Sequence, residues 1–204
     1  DYPDLDSSKM QINLIQSGDR ILNTMSEKSS AAAEKYLKSL GVNVLKNIRV
    51  TSYDGRTIST NTDVVLETAT LIWTAGVQGA MVNGLPASSL MEKVERIKVN
   101  EYNQVIGFPN IFAIGDIAMM PTEEYPQGHP MVAQPALQQG RLLGENIIKL
   151  IQNQEMKPFH YNDKGSMATI GRNKAVVDLP NYHFHGVFAW FVWMFVHLFS
   201  LIGF

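Results

Sequence analysis

Asn110-Ile111-Phe112-Ala113-Ile114-Gly115-Asp116 is an apolar run that stops at a glycine followed by a carboxylate, and the fold is read outward from it. The pattern predicts a short strand ending at Gly115, where backbone can come close to a ligand. Asp116 then offers an acceptor at the carboxyl end of the strand, the end at which open α/β sheets bind their ligands. Taken alone, a Gly-Asp pair more often marks a tight turn. Two neighbouring stretches change its meaning. Upstream, Leu71-Ile72-Trp73-Thr74-Ala75-Gly76 is a second apolar strand pattern ending at a glycine, and downstream Ala133-Gln134-Pro135-Ala136-Leu137-Gln138 opens a long helical pattern.

Composition narrows the function classes. Net charge is −2 with Lys and Arg scattered, so no basic patch recommends nucleic acid as a partner. Cysteine is absent, which removes thiolate metal sites, disulfides and thiol catalysis from this chain. His183-Phe184-His185 would set two imidazoles on one strand face, but no third ligand accompanies them and no metal is expected. The chain begins at Asp1 rather than Met and carries no basic-then-apolar signal, which reads as a piece of a longer protein.

Along the chain, residues 1–9 read as an acidic loop. Met10 to Gln16 alternates apolar and polar residues as a strand does, and Ala31 to Leu40 has helical spacing with Gly41 as its stop. Val42 to Leu45 returns to strand, and Ile48–Tyr53 and Thr57–Ser59 form a hairpin across Asp54-Gly55. Arg96–Val99 pairs with Val105-Ile106. Pro121 to Pro130 is loop, and the helix from Val132 to about Ile151 carries Gly140 and Gly144 for tight approach to a sheet. Strand patches flank a turn at Asp163 to Gly165, and Arg172 to Asp178 reads as a turn and a further strand. Gly186 to Phe204 holds 19 residues without a charge. Helical, they would span roughly 28 Å, yet Gly186, Trp190, Trp193, His197 and Ser200 form one more polar stripe, which favours packing on protein or at an interface over a membrane span. None of the fifteen glycines lies in a G-x-G-x-x-G, so neither pyrophosphate loop of a two-dinucleotide enzyme is present.

In their order and spacing, the three apolar and helical stretches resemble the C-terminal half of the flavin domain in type II NADH:quinone oxidoreductases, the single-chain respiratory NADH dehydrogenases. The likeness continues to both ends of the chain. It implies an α/β fold: a partial two-dinucleotide-binding-domain flavoprotein with Rossmann-like halves, plus a C-terminal membrane-associated segment. Residues 1–70 would be the second half of the NADH-binding domain, 71–155 the C-terminal half of the FAD-binding domain, and 156–204 the quinone-side segment. The implied activity is electron transfer from NADH via FAD to a membrane quinone without proton pumping. FAD and NADH are the implied cofactors, and quinone, a lipid bilayer surface and a second copy of the chain the implied partners. The implied location is peripheral, on the cytoplasmic face of a bacterial inner membrane.

The same resemblance gives residues their roles. Gly115 and Asp116 would hold the FAD ribityl chain, with Ala75 and Gly76 part of the same site. Ala133 and Gln134 would contact the flavin ring at a helix N-terminus that favours the negative charge of the reduced ring. Gln138 and Lys164 would serve the quinone side. Gln16 would take the adenine-ribose position that is ordinarily acidic, so discrimination against NADPH would weaken. The rival enzymes, sulfide:quinone reductases and disulfide reductases, need redox cysteines. A non-catalytic membrane-associated module is the rival of another class, and the missing pyrophosphate loops suit it. Either way, the chain by itself is expected to bind FAD poorly and to be inactive.

Overall fold

The computed structural model of the chain describes residue 6 and residues 9–80, 82–91 and 95–202. The acidic loop read at residues 1–9 lies almost wholly outside them, as do the last residues of the uncharged run. Two compact units emerge, one formed by the chain up to Trp73 together with the return from Lys164, the other by Thr74–Asp163.

In the first unit, β1 (Ile12–Gln16) and β2 (Val42–Lys46) pair in parallel, from Ile12 opposite Val42 to Gln16 opposite Lys46. Parallel neighbours need a crossover, and α1 (Glu27–Ser39) supplies it. This helix starts earlier than its apolar spacing predicts because Ser26 caps it, accepting from the Ser29 N–H. It ends at Gly41, whose φ of +82° suits glycine. The hairpin appears as predicted in β3 (Val50–Tyr53) and β4 (Thr57–Thr60), with Asp54 accepting from the Arg56 and Thr57 N–H groups at its turn. A third strand, β5 (Val65–Glu67), extends the hairpin and was not expected.

The strand predicted at Leu71–Gly76 is not formed. Ile72 is 79% exposed, and no described strand pairs with the stretch. Apolar residues become a strand only when a neighbour satisfies their backbone groups, and here none does.

The second unit is built on β6 (Leu90–Met91), β7 (Arg96–Lys98) and β8 (Ala118–Met119), with β7 central, antiparallel to β6 and parallel to β8. Val99 bridges Val105 across a turn in which the Asn100 side chain accepts from the Tyr102 and Gln104 N–H groups, as the predicted pairing required. The Asn110–Asp116 stretch corrects its prediction. It runs extended, with Phe112 alone bridging to Gln104, and breaks into a 3-10 turn at Gly115–Ile117. Gly115 adopts φ +71°, so the ladder with β7 forms only after the turn, at Ala118 and Met119. Ile97, Val99, Val105, Ala113, Ala118 and Met120 make the core, with Phe159. Next comes α2 (Ala133–Ile151). A Cβ at Gly140 would lie 3.6 Å from the Ile114 side chain, whereas Gly144 meets nothing within 4 Å, so only the first glycine serves close packing.

Residues 152–165 form no regular element, so the strand patch expected before the 163–165 turn is absent. The part up to Asp163 is pinned by other means: Asn146 exchanges two hydrogen bonds with the Lys157 backbone, and the Phe159 N–H donates to the Glu101 carbonyl. Back in the first unit, β9 (Ser166–Thr169), β10 (Ala175–Leu179) and β11 (Tyr182–Gly186) form an antiparallel meander with β10 central. Against it, α1 packs through Ala33, which clusters with Val176 and Ile170, and α3 (Val187–Ile202) packs through Ala189, Trp190 and Trp193. Among the described residues no helix is long and apolar enough to cross a membrane.

Candidate cofactor site

The Gly115 turn rests on the first two turns of α2. Its N–H donates 2.7 Å to Oε1 of Gln139, a side chain only 1% exposed. A Cβ at Gly115 would approach the Ala136 Cβ to 3.3 Å, and its φ is left-handed, so glycine is required twice over. The N-cap position of α2 is Val132, which has no side-chain acceptor to offer and makes no side-chain cap hydrogen bond. Asp116 is half-buried beside this turn, and no hydrogen bond or ion pair holds its carboxylate among the described residues.

Behind the turn, Arg96 is buried and donates to the carbonyls of Ala118, His129 and Gln127, clasping the loop that leads into α2. Burial lowers its pKa, and the charge of Asp116 works against that shift. His129 is also buried, among the rings of Tyr125, Phe159 and Tyr161 at 5.0 to 5.5 Å, and neither ring nitrogen has a partner among the described residues. Burial, then the Arg96 charge, push its pKa below the usual histidine value, while Glu124 opposes them. The Tyr161 hydroxyl is pushed up to about 12, by burial first and then by Asp163 and Tyr125.

Gly115, Asp116 and the helix start carrying Ala133 and Gln134 are therefore brought together in the second unit. Gln138 lies one turn along the helix, but both ends of its amide are committed: Nε2 donates to the Asn162 carbonyl at 2.9 Å and Oε1 accepts from the Asn162 N–H at 3.0 Å. Ala75 and Gly76 lie in an exposed loop of the same unit, with Gly76 at φ +102°. Gln16 and Lys164 belong to the first unit. Gln16 ends β1 and donates to the Arg20 carbonyl, and Lys164 is exposed where the chain returns. His183 and His185 are each engaged, with Asp178 at 2.9 Å and the Tyr36 hydroxyl at 2.8 Å. No three His, Cys, Asp or Glu side chains gather for a metal among the described residues.

Gln139 was missed at the sequence level. A signal existed: it falls at helical spacing between Ala136 and Leu143 on the face read as apolar, and a polar side chain in that row needs a partner.

The chain belongs to the pyridine nucleotide-disulphide oxidoreductase family, whose model matches residues 4–140. Within that family its likeness is to the type II NADH:quinone oxidoreductases, the group its three stretches resemble, and residues 164–204 match the model of the NDH2 C-terminal domain. It is 33% identical to the type II NADH:quinone oxidoreductase Ndh of Mycobacterium tuberculosis over 98% of its own length and 44% of the relative's. With the Haemophilus influenzae enzyme the identity is 31%, over 88% of this chain and 40% of the relative. The chain thus spans less than half the length of these curated relatives. Among solved structures, NDH2 from Plasmodium falciparum in complex with NADH superposes with a TM-score of 0.81 at 22% identity, covering 92% of this chain and 54% of that one. The sulfide:quinone oxidoreductase of Aquifex aeolicus gives 0.73 at 16% identity, over 95% of this chain and 50% of that one, which is a likeness of fold alone.

Proposed function

We propose that the chain is the C-terminal part of a flavoenzyme that passes electrons from NADH through FAD to a membrane quinone without pumping protons. In it, residues 1–70 complete an NADH-binding domain, 71–155 an FAD-binding domain, and 156–204 the quinone side. The observation that carries the proposal is the Gly115–Asp116 turn held on α2 by Gln139. A left-handed glycine allows close approach, a carboxylate with no hydrogen bond among the described residues awaits hydroxyl donors, and a helix start without a side-chain cap lies against the same turn. These features fit the ribityl chain and ring edge of FAD, which when bound supplies the two-electron redox chemistry.

The chain's own residues then do positioning and electrostatic work. Asp116 accepts from the ribityl hydroxyls, and Gly115 lets the backbone approach, with Ala75 and Gly76 closing on the same cofactor. Ala133 and Gln134 offer N–H groups and helix dipole to a ring edge that becomes negative. Gln138 acts on the quinone side through the 159–162 segment it fixes, and Lys164 orients a quinone oxygen or delivers a proton. At the end of β1, Gln16 bonds the adenine ribose of NADH. The apolar outer face of α3 meets the lipid surface at the cytoplasmic side of a bacterial inner membrane, and a second copy of the chain completes a homodimer.

The test is made on the full-length protein that contains this chain. It should purify with a flavin spectrum that NADH bleaches and quinone restores. In Gln138→Leu, bleaching by NADH should persist while reoxidation by quinone slows at least tenfold. Loss of both half-reactions to the same extent would remove Gln138 from the quinone side, and a preparation that never binds flavin would remove the proposal.

A further inference from the structure

A cavity of about 510 Å³ opens in the first unit between α1 and β11, lined among others by Lys28, Lys35, Tyr36, His183, Phe184 and His185. Lys28 and Lys35 stand two turns apart on the same side of α1, and both are exposed. No carboxylate is among the described residues that line the cavity. Glu34, beside Lys35 in sequence, is turned to Lys38 and Lys46 at 2.7 and 2.9 Å. Asp178, beneath His183, is surrounded by donors from Ser26 and Ser29. The opening is therefore cationic, while Ala31, Ala32 and Phe184 make its wall apolar.

That wall continues outward. The ring of Phe184 lies 5.4 Å from that of Phe188, which is 69% exposed and begins a row with Phe191, Phe195 and Phe199 along the outer face of α3. A row at these spacings is one continuous helix face. A cationic mouth that joins a bare aromatic face matches a ligand with a phosphate at one end and hydrocarbon at the other. A wholly soluble anion would leave the aromatic row without a role.

We infer that the α1–β11 cavity binds the headgroup of an anionic phospholipid whose acyl chains lie along the exposed face of α3. This rests on the proposal that residues 156–204 contact a membrane, and it adds lipid selectivity to that contact. Each lysine near an anionic bilayer is worth about fivefold in binding, so the pair should supply on the order of 25-fold.

The test is sedimentation of the full-length protein with phosphatidylcholine vesicles prepared with and without phosphatidylglycerol. The double variant Lys28→Gln/Lys35→Gln should lose about 25-fold in affinity for the phosphatidylglycerol vesicles and nothing for phosphatidylcholine alone. Its turnover of NADH with a water-soluble quinone should be unchanged. Lys9→Gln/Arg56→Gln, two exposed cations outside the cavity, should change binding by less than about twofold. Equal losses in the two double variants would overturn the inference, as would binding of the unaltered protein that is no tighter to phosphatidylglycerol vesicles than to phosphatidylcholine alone. If the unaltered protein sediments with neither vesicle, the membrane contact itself fails, an outcome distinct from lysine-independent binding.

Discussion

Asp178 and Asp116 are the same side chain put to opposite uses. Asp178, 8% exposed in β10, accepts from the Ser26 N–H at 2.6 Å, from the Ser26 and Ser29 hydroxyls at 3.0 and 2.6 Å, and from His183 at 2.9 Å. It staples the start of α1 to the β9–β11 meander. Asp116, half-buried in the second unit, receives no hydrogen bond among the described residues and feels only the charge of Arg96. A buried carboxylate survives when the protein supplies its donors, and one held ready without donors marks where an outside molecule supplies them. The difference marks Asp178 as a structural group and is the ground on which Asp116 is proposed as a binding group.

The largest expected effect on stability lies at Asp178. Burial raises its pKa, but the hydrogen bonds from Ser29, Ser26 and His183 together outweigh burial and hold the carboxyl below its ordinary value. A folded-state pKa below the unfolded one means stabilisation that is full above about pH 4 and is lost as pH falls through the lower, folded value. Asp178→Ala leaves several buried donors unmet and should cost about 3 kcal/mol at neutral pH. Denaturant midpoints measured across pH 2 to 7 should show the acid-sensitive limb flattened in the variant, and an unchanged limb would show that other carboxylates carry it.

Gln139 comes next, because it tests whether the site around Asp116 is built before any ligand arrives. Gln139→Leu keeps the volume and removes the acceptor for the Gly115 N–H, which should cost about 1 to 2 kcal/mol. Hydrogen exchange at the Gly115 amide should accelerate in proportion. Exchange as slow as in the unaltered chain would mean that another group holds the turn.

How much of this was legible in sequence depends on how far apart the partners lie. β1, α1 and β2 could be read because their periodicities and stops are local. The Ser26–Asp178 staple could not, since its partners are 152 residues apart and neither Ser26 nor Asp178 is unusual in its own neighbourhood. Leu71–Gly76 was misread because strand formation depends on a neighbour that apolar composition does not report. Asn110–Asp116 was misread for a backbone reason: Gly115 takes a left-handed φ that breaks the strand where the apolar pattern still runs. The glycine and carboxylate that the sequence pairs do share one turn, Gly115–Ile117. What lay beyond the sequence was that they sit in a turn held by Gln139 rather than at the end of a paired strand.

The smallest expected effect on stability is at Asp116, and it decides the comparison. Asp116→Asn keeps the shape and removes a charge that no hydrogen bond among the described residues uses, so the stability without cofactor should change by less than about 0.5 kcal/mol. The burial of Arg96 makes a slight loss more natural than a gain, because the Asp116 charge favours the guanidinium. Flavin retention by the full-length protein should respond very differently. Charge-assisted hydrogen bonds are worth about 1.5 to 3 kcal/mol, so replacing the carboxylate by an amide should weaken FAD binding about 10- to 100-fold. Flavin released on dilution, followed by fluorescence, reads that change directly. A destabilisation of the cofactor-free chain as large as that of Asp178→Ala would make Asp116 a second structural staple. Undiminished flavin retention would leave its open carboxylate without the ligand proposed for it.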